Sequence, residues 1–150
     1  SLIDEISAIK NVNQKCESNI GIVINWGRST IELRDVDGPI KHINYALKNN
    51  VLSGLMFSGT TAKNNNLYGS WSDLHMPPGP FPNCKYFESQ SLMSFENIKK
   101  TLASCNLNSL PILGLKLLAM PNSSSIEKRI AINKDSMFLL NQAKNEIAKG

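Results

Sequence analysis

The chain has 150 residues, 16 Lys and Arg against 12 Asp and Glu (net +4) and 41% hydrophobic residues. This describes one ordinary domain, or part of a larger one, with enough apolar material for a packed core. No stretch approaches the roughly 18 to 20 apolar residues of a membrane-spanning helix, and Ser1-Leu2-Ile3-Asp4-Glu5 lacks the basic-then-apolar pattern of a signal peptide, so a cytoplasmic protein with no membrane partner is expected. The basic residues (Lys10, Lys15, Lys41, Lys48, Lys99, Lys100, Lys128, Arg129) are scattered and form no stripe interleaved with aromatics, so no nucleic-acid partner is expected. Cys16, Cys84 and Cys105 are odd in number, far apart and without a Cys-x-x-Cys pair, which fits reduced thiols better than a disulfide framework or a zinc site.

Leu2, Ile3, Ile6 and Ile9 recur at helical spacing and predict an amphipathic helix over 2–14. The β-branched run Ile20 to Asn25 predicts a buried strand, followed by a polar loop from Trp26 to Asp37. Gly38-Pro39 opens a second helix whose inward stripe is Ile40, Ile43 and Leu47, and Asn49-Asn50 ends it. Val51 to Phe57 reads as a second strand. From Ser58 to Ser91 periodicity vanishes among Gly59, Asn64-Asn65-Asn66, Pro77-Pro78-Gly79-Pro80 and Pro82, and a loop so long in a compact domain is usually functional. Ser94 caps a helix with Phe95, Ile98 and Leu102 inward, Leu110 to Leu118 reads as a third strand, and Ser124-Ser125-Ile126-Glu127 is a capping-box signature. Ile126, Ile130, Met137, Leu140 and Ile147 mark the inward face of a long last helix.

Strands separated by helices favour a parallel sheet with right-handed crossovers, hence an α/β fold. Three parallel strands need cover on both faces and both edges, so the chain reads as a segment of a larger α/β fold or a protein that completes its sheet by pairing. Period-two alternation places Ile22, Ile24, Leu55, Phe57, Leu113 and Leu115 on one face. The other face starts in each strand with Gly and ends in Asn25, Ser58 or Lys116. In a barrel those polar residues would sit at the carboxyl ends, where (β/α)8 enzymes place their chemistry; as an edge strand, the third would instead let Lys116 reach out to water.

Four segments carry a resemblance: Gly21 to Ser29, Leu52 to Gly59, Tyr68 to Pro78, and Leu113 to Pro121. Together they resemble an uncharacterised bacterial domain-of-unknown-function family whose members look like xylose isomerase-like TIM barrels, the sugar isomerases and epimerases. The resemblance runs from about Gly21 to Leu140 and implies the carboxyl half of a (β/α)8 barrel, with its last three strands here. It implies a small carbohydrate-like substrate, proton transfer next to a carbonyl and a divalent metal (Mn, Mg, Co or Zn), held by carboxylates and histidine around an open position. Asp73-x-His75 is similar to the Asp/His ligand pair of those enzymes, and Glu32 is placed as base or ligand. Where such enzymes carry a ligating Glu on the final strand, this chain has Lys116; an ammonium cannot ligate a metal, so either the metal is bound differently or Lys116 stabilises a substrate anion or enediolate, the first-ranked role, with a Schiff-base nucleophile ranked last. Asn25, Trp26, Arg28, Ser58 and Trp71 are the expected substrate contacts, and His42 is expected to be structural or exposed. The alternatives are a non-catalytic fragment or split barrel, self-associating or acting only with a partner half, and a metal-dependent phosphodiesterase or nuclease of the same superfamily.

Overall fold

The computed structural model describes residues 1–149. Helix α1 (Leu2–Cys16) leads into strand β1 (Ile22–Asn25), which runs directly into α2 (Trp26–Leu33). Then follow α3 (Gly38–Lys48), β2 (Leu52–Phe57), a long irregular segment, α4 (Phe95–Leu102), a single 3-10 turn (Leu107–Ser109), β3 (Ile112–Leu115) and α5 (Ile126–Lys149). The strands form one parallel sheet in the order β1-β2-β3. The chain is thus an α/β protein with a small parallel sheet, and the three expected strands are present, shorter at their ends than the apolar runs suggested.

The expected loop over Trp26 to Asp37 is corrected: most of it is helix α2. Asn25 is its N-cap, its side chain accepting the Arg28 N–H at 3.1 Å and satisfying one of the helix's orphan donors. The helix escapes an apolar-periodicity search because much of its buried face is small or polar: Gly27, Ser29 and Thr30 beside Trp26. Gly27 allows that close packing, since a Cβ there would lie 2.5 Å from the Ser58 carbonyl oxygen. α4 begins at Ser94 as expected, its Oγ accepting from Asn97 N–H. At α5 the cap sits one residue later than the signature implied, with Ser125 Oγ accepting from Lys128 N–H.

All five helices contribute to one core, built on the sheet face that carries Ile22, Ile24, Leu55 and Phe57. Leu2 and Ile6 enter it from α1, Trp26 from α2, Ile43 and Ala46 from α3, Ile98 and Leu102 from α4, and Leu139, Leu140 and Ala143 from α5. Apart from Leu52, which packs against that core, the opposite face lies outside it. Its rows are Val23–Gly54–Ile112 and Asn25–Met56–Gly114, and Val23 and Ile112 stay 36% and 44% exposed. The inward face expected for α5 is corrected in part: Leu140 is buried and Ile147 packs against the core as expected. Ile132, Ser136, Leu139, Leu140 and Ala143 are buried, whereas Ile126, Ile130 and Met137 point away from the core. α5 carries two apolar stripes, which a single periodicity reading merges.

The segment 58–91 has almost no regular structure but is firmly tied down. Gly59 and Met76 form an antiparallel bridge. Trp71 N–H reaches Thr61 O, Leu92 N–H reaches Thr60 O and Gly79 N–H reaches Met93 O. These bonds satisfy backbone groups that would otherwise be buried without partners, as Ser58 to Thr61 and Met76 to Gly79 are buried. No helix among the described residues is long and apolar enough to cross a membrane, and the three cysteines are free thiols.

Candidate functional site

Asn25 ends β1, Ser58 follows Phe57 at the end of β2, and Lys116 follows Leu115 at the end of β3. Because Asn25 pairs with Met56 and Phe57 with Leu115, all three residues sit at the carboxyl ends of neighbouring parallel strands. The Ser58 hydroxyl donates to Asn25 Oδ1 at 2.8 Å, and Lys116 N–H extends the ladder to Phe57 O at 2.9 Å. Ser58 is buried, Asn25 half-buried and Lys116 exposed.

The irregular segment folds back over the β2 and β3 end of this rim. Leu118 N–H donates to His75 O at 2.9 Å, and the Tyr68 hydroxyl donates to Leu118 O at 2.9 Å. Burial, with Glu88 nearby, pushes the Tyr68 phenol up to about 12, so it stays a donor. Glu88 is itself raised, first by burial and against the opposing pull of Lys128. Asp73 and His75 are held together: His75 Nδ1 lies 3.2 Å from Asp73 Oδ1. The approach is out of line for a hydrogen bond, so His75 Nδ1 is buried without a hydrogen-bond partner. His75 and Trp71 both adopt left-handed backbone conformations, φ 54° and 50°, which non-glycine residues adopt uncommonly. Trp71 carries the Arg34 guanidinium 4.9 Å above its ring, joining the loop to the end of α2.

An unpartnered buried imidazole nitrogen beside a carboxylate is a donor pair suited to a divalent ion. The pair is incomplete, however, because among the described residues no third His, Cys, Asp or Glu joins it in a metal-binding group. Asp73 and His75 alone supply two donors, short of a complete metal centre.

The other expected site residues divide. Arg28 and Glu32 are exposed on α2 and line, with Asn25, a small cavity of about 50 Å³ at the β1 edge. Glu32 Oε1 accepts Leu2 N–H at 3.4 Å, so Glu32 faces the start of α1 rather than the Asp73–His75 pair. Trp26 is corrected: it is 1% exposed, and its indole N–H donates to Thr101 Oγ1 at 3.0 Å inside the core. It is packing, not a substrate contact. Sequence reading also missed a buried pair in the same cavity wall, His42 Nδ1 and Ser29 Oγ at 2.9 Å. Burial lowers the His42 pKa, against the weaker pull of Glu32 and Glu5. Its signal lay on two helices, one of them unforeseen.

Fold and rim together define the class: an α/β protein with a parallel sheet, one sheet face open and polar residues gathered at the strand ends. Within that class, the chain belongs to the domain-of-unknown-function family DUF4862, whose model matches residues 1–132. It is 38% identical over 125 residues to an uncharacterized protein of Salmonella typhimurium, covering 83% of this chain. The matched part is 38% of the Salmonella protein, so the chain spans well under half the length of that curated relative. No solved structure matches the chain.

Proposed function

We propose that the chain is part of a (β/α)8 barrel of the sugar isomerase and epimerase type, acting by proton transfer next to the carbonyl of a small carbohydrate or sugar acid. One observation carries this reading. Three neighbouring parallel strands end in Asn25, Ser58 and Lys116 at a common rim, and the segment bearing Asp73 and His75 is hydrogen-bonded to the chain just past that rim. Helices cover one face of the sheet, and the other, which carries Asn25, Gly54 and Gly114 with Val23, Met56 and Ile112, would turn inward in a barrel wall.

In this reading the exposed Lys116 ammonium stabilises negative charge developing on a substrate oxygen. Asn25 and Ser58 place hydrogen-bonding groups at the same rim, and Trp71 offers a flat apolar surface beside it. Asp73 and His75 would hold a divalent ion jointly with ligands from elsewhere in the barrel; such an ion, when bound, polarises a carbonyl. Arg28 and Glu32 lie at the β1 edge, where the barrel would continue, and contribute to the pocket only with the neighbouring strand in place.

The split-barrel alternative has its own support. The open face, the unpaired edges of β1 and β3 and the coverage of only 38% of the Salmonella relative all leave the site unfinished in this chain. The phosphodiesterase alternative has no comparable support.

The test is hydrogen exchange in D2O, with this chain and the full-length Salmonella relative each incubated with aldoses, ketoses and sugar acids. Deuterium entering at the carbon next to the carbonyl, with the relative at least, is expected. No exchange with either protein overturns the carbohydrate reading. Metal content after dialysis against Mn, Co or Zn tests the ligand pair separately: Asp73→Ala and His75→Ala should each lower it, and unchanged content in both removes the assignment.

A further inference from the structure

α5 is a 24-residue helix, about 36 Å long at 1.5 Å per residue. It uses one face for the core and packs alongside α4. A second stripe, Ile126, Ile130, Met137 and Phe138, is 70%, 50%, 42% and 40% exposed. These residues line an open groove of about 730 Å³, bordered by Arg129 and Lys134. The spacing, i, i+4, i+11 and i+12, is that of one helix face, so the groove runs along the axis and suits a second helix laid beside it. Exposed aliphatic residues in one contiguous patch mark an interaction surface.

The structure also supplies the occupant. Among the described residues β3 has a partner only on its β2 side, Ile112 on the open face is exposed, and α5 has helix α4 on one flank while Ile126, Ile130 and Met137 stay exposed beside Phe138, whose ring meets Phe81 at 6.2 Å. A further strand-helix unit beyond β3 would pair the edge and bring its helix to that groove. The family has further polypeptide from which such a unit can come: the match covers 38% of the Salmonella relative. The charged groups bordering the groove are both basic, and Arg129 is already held by the Ser124 and Asn122 carbonyls, which leaves Lys134 to meet an acid.

We infer that the Ile126–Ile130–Met137–Phe138 groove of α5 is the seat of an amphipathic helix, aliphatic on one side and bearing a carboxylate opposite Lys134, contributed by the part of the family's polypeptide that lies outside this chain's match. The inference rests on the partial-barrel reading and goes beyond it by naming the helix-layer contact.

The experiment is co-expression of the tagged 150-residue chain with the portion of the Salmonella relative that the match leaves out, followed by affinity purification and light scattering. The wild-type chain is expected to carry the second polypeptide in a 1:1 complex. The double variant Ile130→Asp, Met137→Asp should retain at least about tenfold less, equivalent to about 1.4 kcal/mol. Both positions are solvent-facing, so circular dichroism of the double variant alone should match wild type; Asn145→Asp, an exposed polar change on the same helix, should retain the full amount. If wild type forms the complex and the double variant forms it equally well, the groove assignment falls and the partial barrel stands. If wild type captures nothing, both fall. If the chain alone is a dimer that the double variant converts to monomer, a second copy is the occupant and the assignment is likewise overturned.

Discussion

Ser58 and Asn25, 33 residues apart, are joined by a 2.8 Å hydrogen bond in which the hydroxyl donates to Oδ1. The same Oδ1 accepts the Arg28 N–H that starts α2, so one oxygen ties the ends of two strands to the first turn of a helix. Removing the donor and removing the acceptor therefore differ. Ser58→Ala loses one hydrogen bond, about 1 kcal/mol, and Asn25 Oδ1 keeps its other partner. Asn25→Ala takes away the helix cap and strands the buried Ser58 hydroxyl, together about 2 to 3 kcal/mol. Asn25→Asp keeps an oxygen that can accept both bonds and should stay near wild type. Urea unfolding ranks the three; a loss in Asn25→Ala no larger than in Ser58→Ala would show that the shared oxygen has no such role.

Trp26 makes a comparable prediction inside the core. Its indole is buried, and Thr101 Oγ1 accepts from Nε1 while donating to Asn97 O at 2.7 Å. Trp26→Phe keeps most of the ring and should cost about 1 to 2 kcal/mol through the lost bond. Trp26→Ala should cost about 3 to 5 kcal/mol through the cavity. A surface tryptophan that touched only substrate would show neither loss in thermal unfolding, and that result would return Trp26 to the rim.

How far the sequence reveals this architecture depends on what each element buries. β1 and β2 are legible because they bury β-branched and large apolar residues in short runs. α4 is legible because Ser94 marks its start and Ile98 and Leu102 fill its inward face, whereas α3 is legible only in its start at Pro39: of the expected stripe Ile43 is buried, Ile40 is half-buried and Leu47 is 41% exposed, and His42 and Ala46 take the remaining inward positions. α2 is hidden because Gly27, Ser29 and Thr30 make up most of its buried face, and small polar residues packed against backbone leave no hydrophobic period. Trp26 goes with it: once α2 starts directly after Asn25, position 26 turns inward. α5 is misread for the opposite reason, as it carries more apolar residues than its core face needs. At the rim, Asn25, Ser58 and Lys116 follow from strand alternation alone. The Ser29–His42 pair does not, since it requires knowing how α2 and α3 pack.

That pair sets a pH dependence. The His42 pKa is lowered in the folded chain because burial penalises the charged ring. Unfolded, His42 returns to about 6.5, so below that pH the unfolded state binds the extra proton. The stability contribution is full above pH 6.5 and is lost as the pH falls toward the depressed folded value. Unfolding free energies measured from pH 8 down to pH 5 should therefore decline more steeply for wild type than for His42→Gln. Parallel profiles for the two proteins would mean that His42 does not carry the effect.

Asp135 on α5 holds the far end of the irregular segment, and the consequence is local. Its Oδ2 accepts Lys85 N–H at 2.7 Å and Tyr86 N–H at 2.8 Å, and its carbonyl accepts from Cys84 Sγ at 3.4 Å. Hydrogen bonds to a charged acceptor contribute about 1.5 to 3 kcal/mol each, and a side chain 49 and 50 residues distant supplies two of them to consecutive amides. Asp135→Ala should release this turn while leaving the core of α5, built on Leu139, Leu140 and Ala143, in place. Trypsin cleavage after the exposed Lys85 should then accelerate by about tenfold or more, since each 1.4 kcal/mol of lost closure multiplies the open population by ten. Asp135→Asn, which keeps an oxygen acceptor without the charge, should fall between the two. The mass of the first fragment identifies the site, and equal cleavage rates in wild type and Asp135→Ala would show that the turn is held by other contacts.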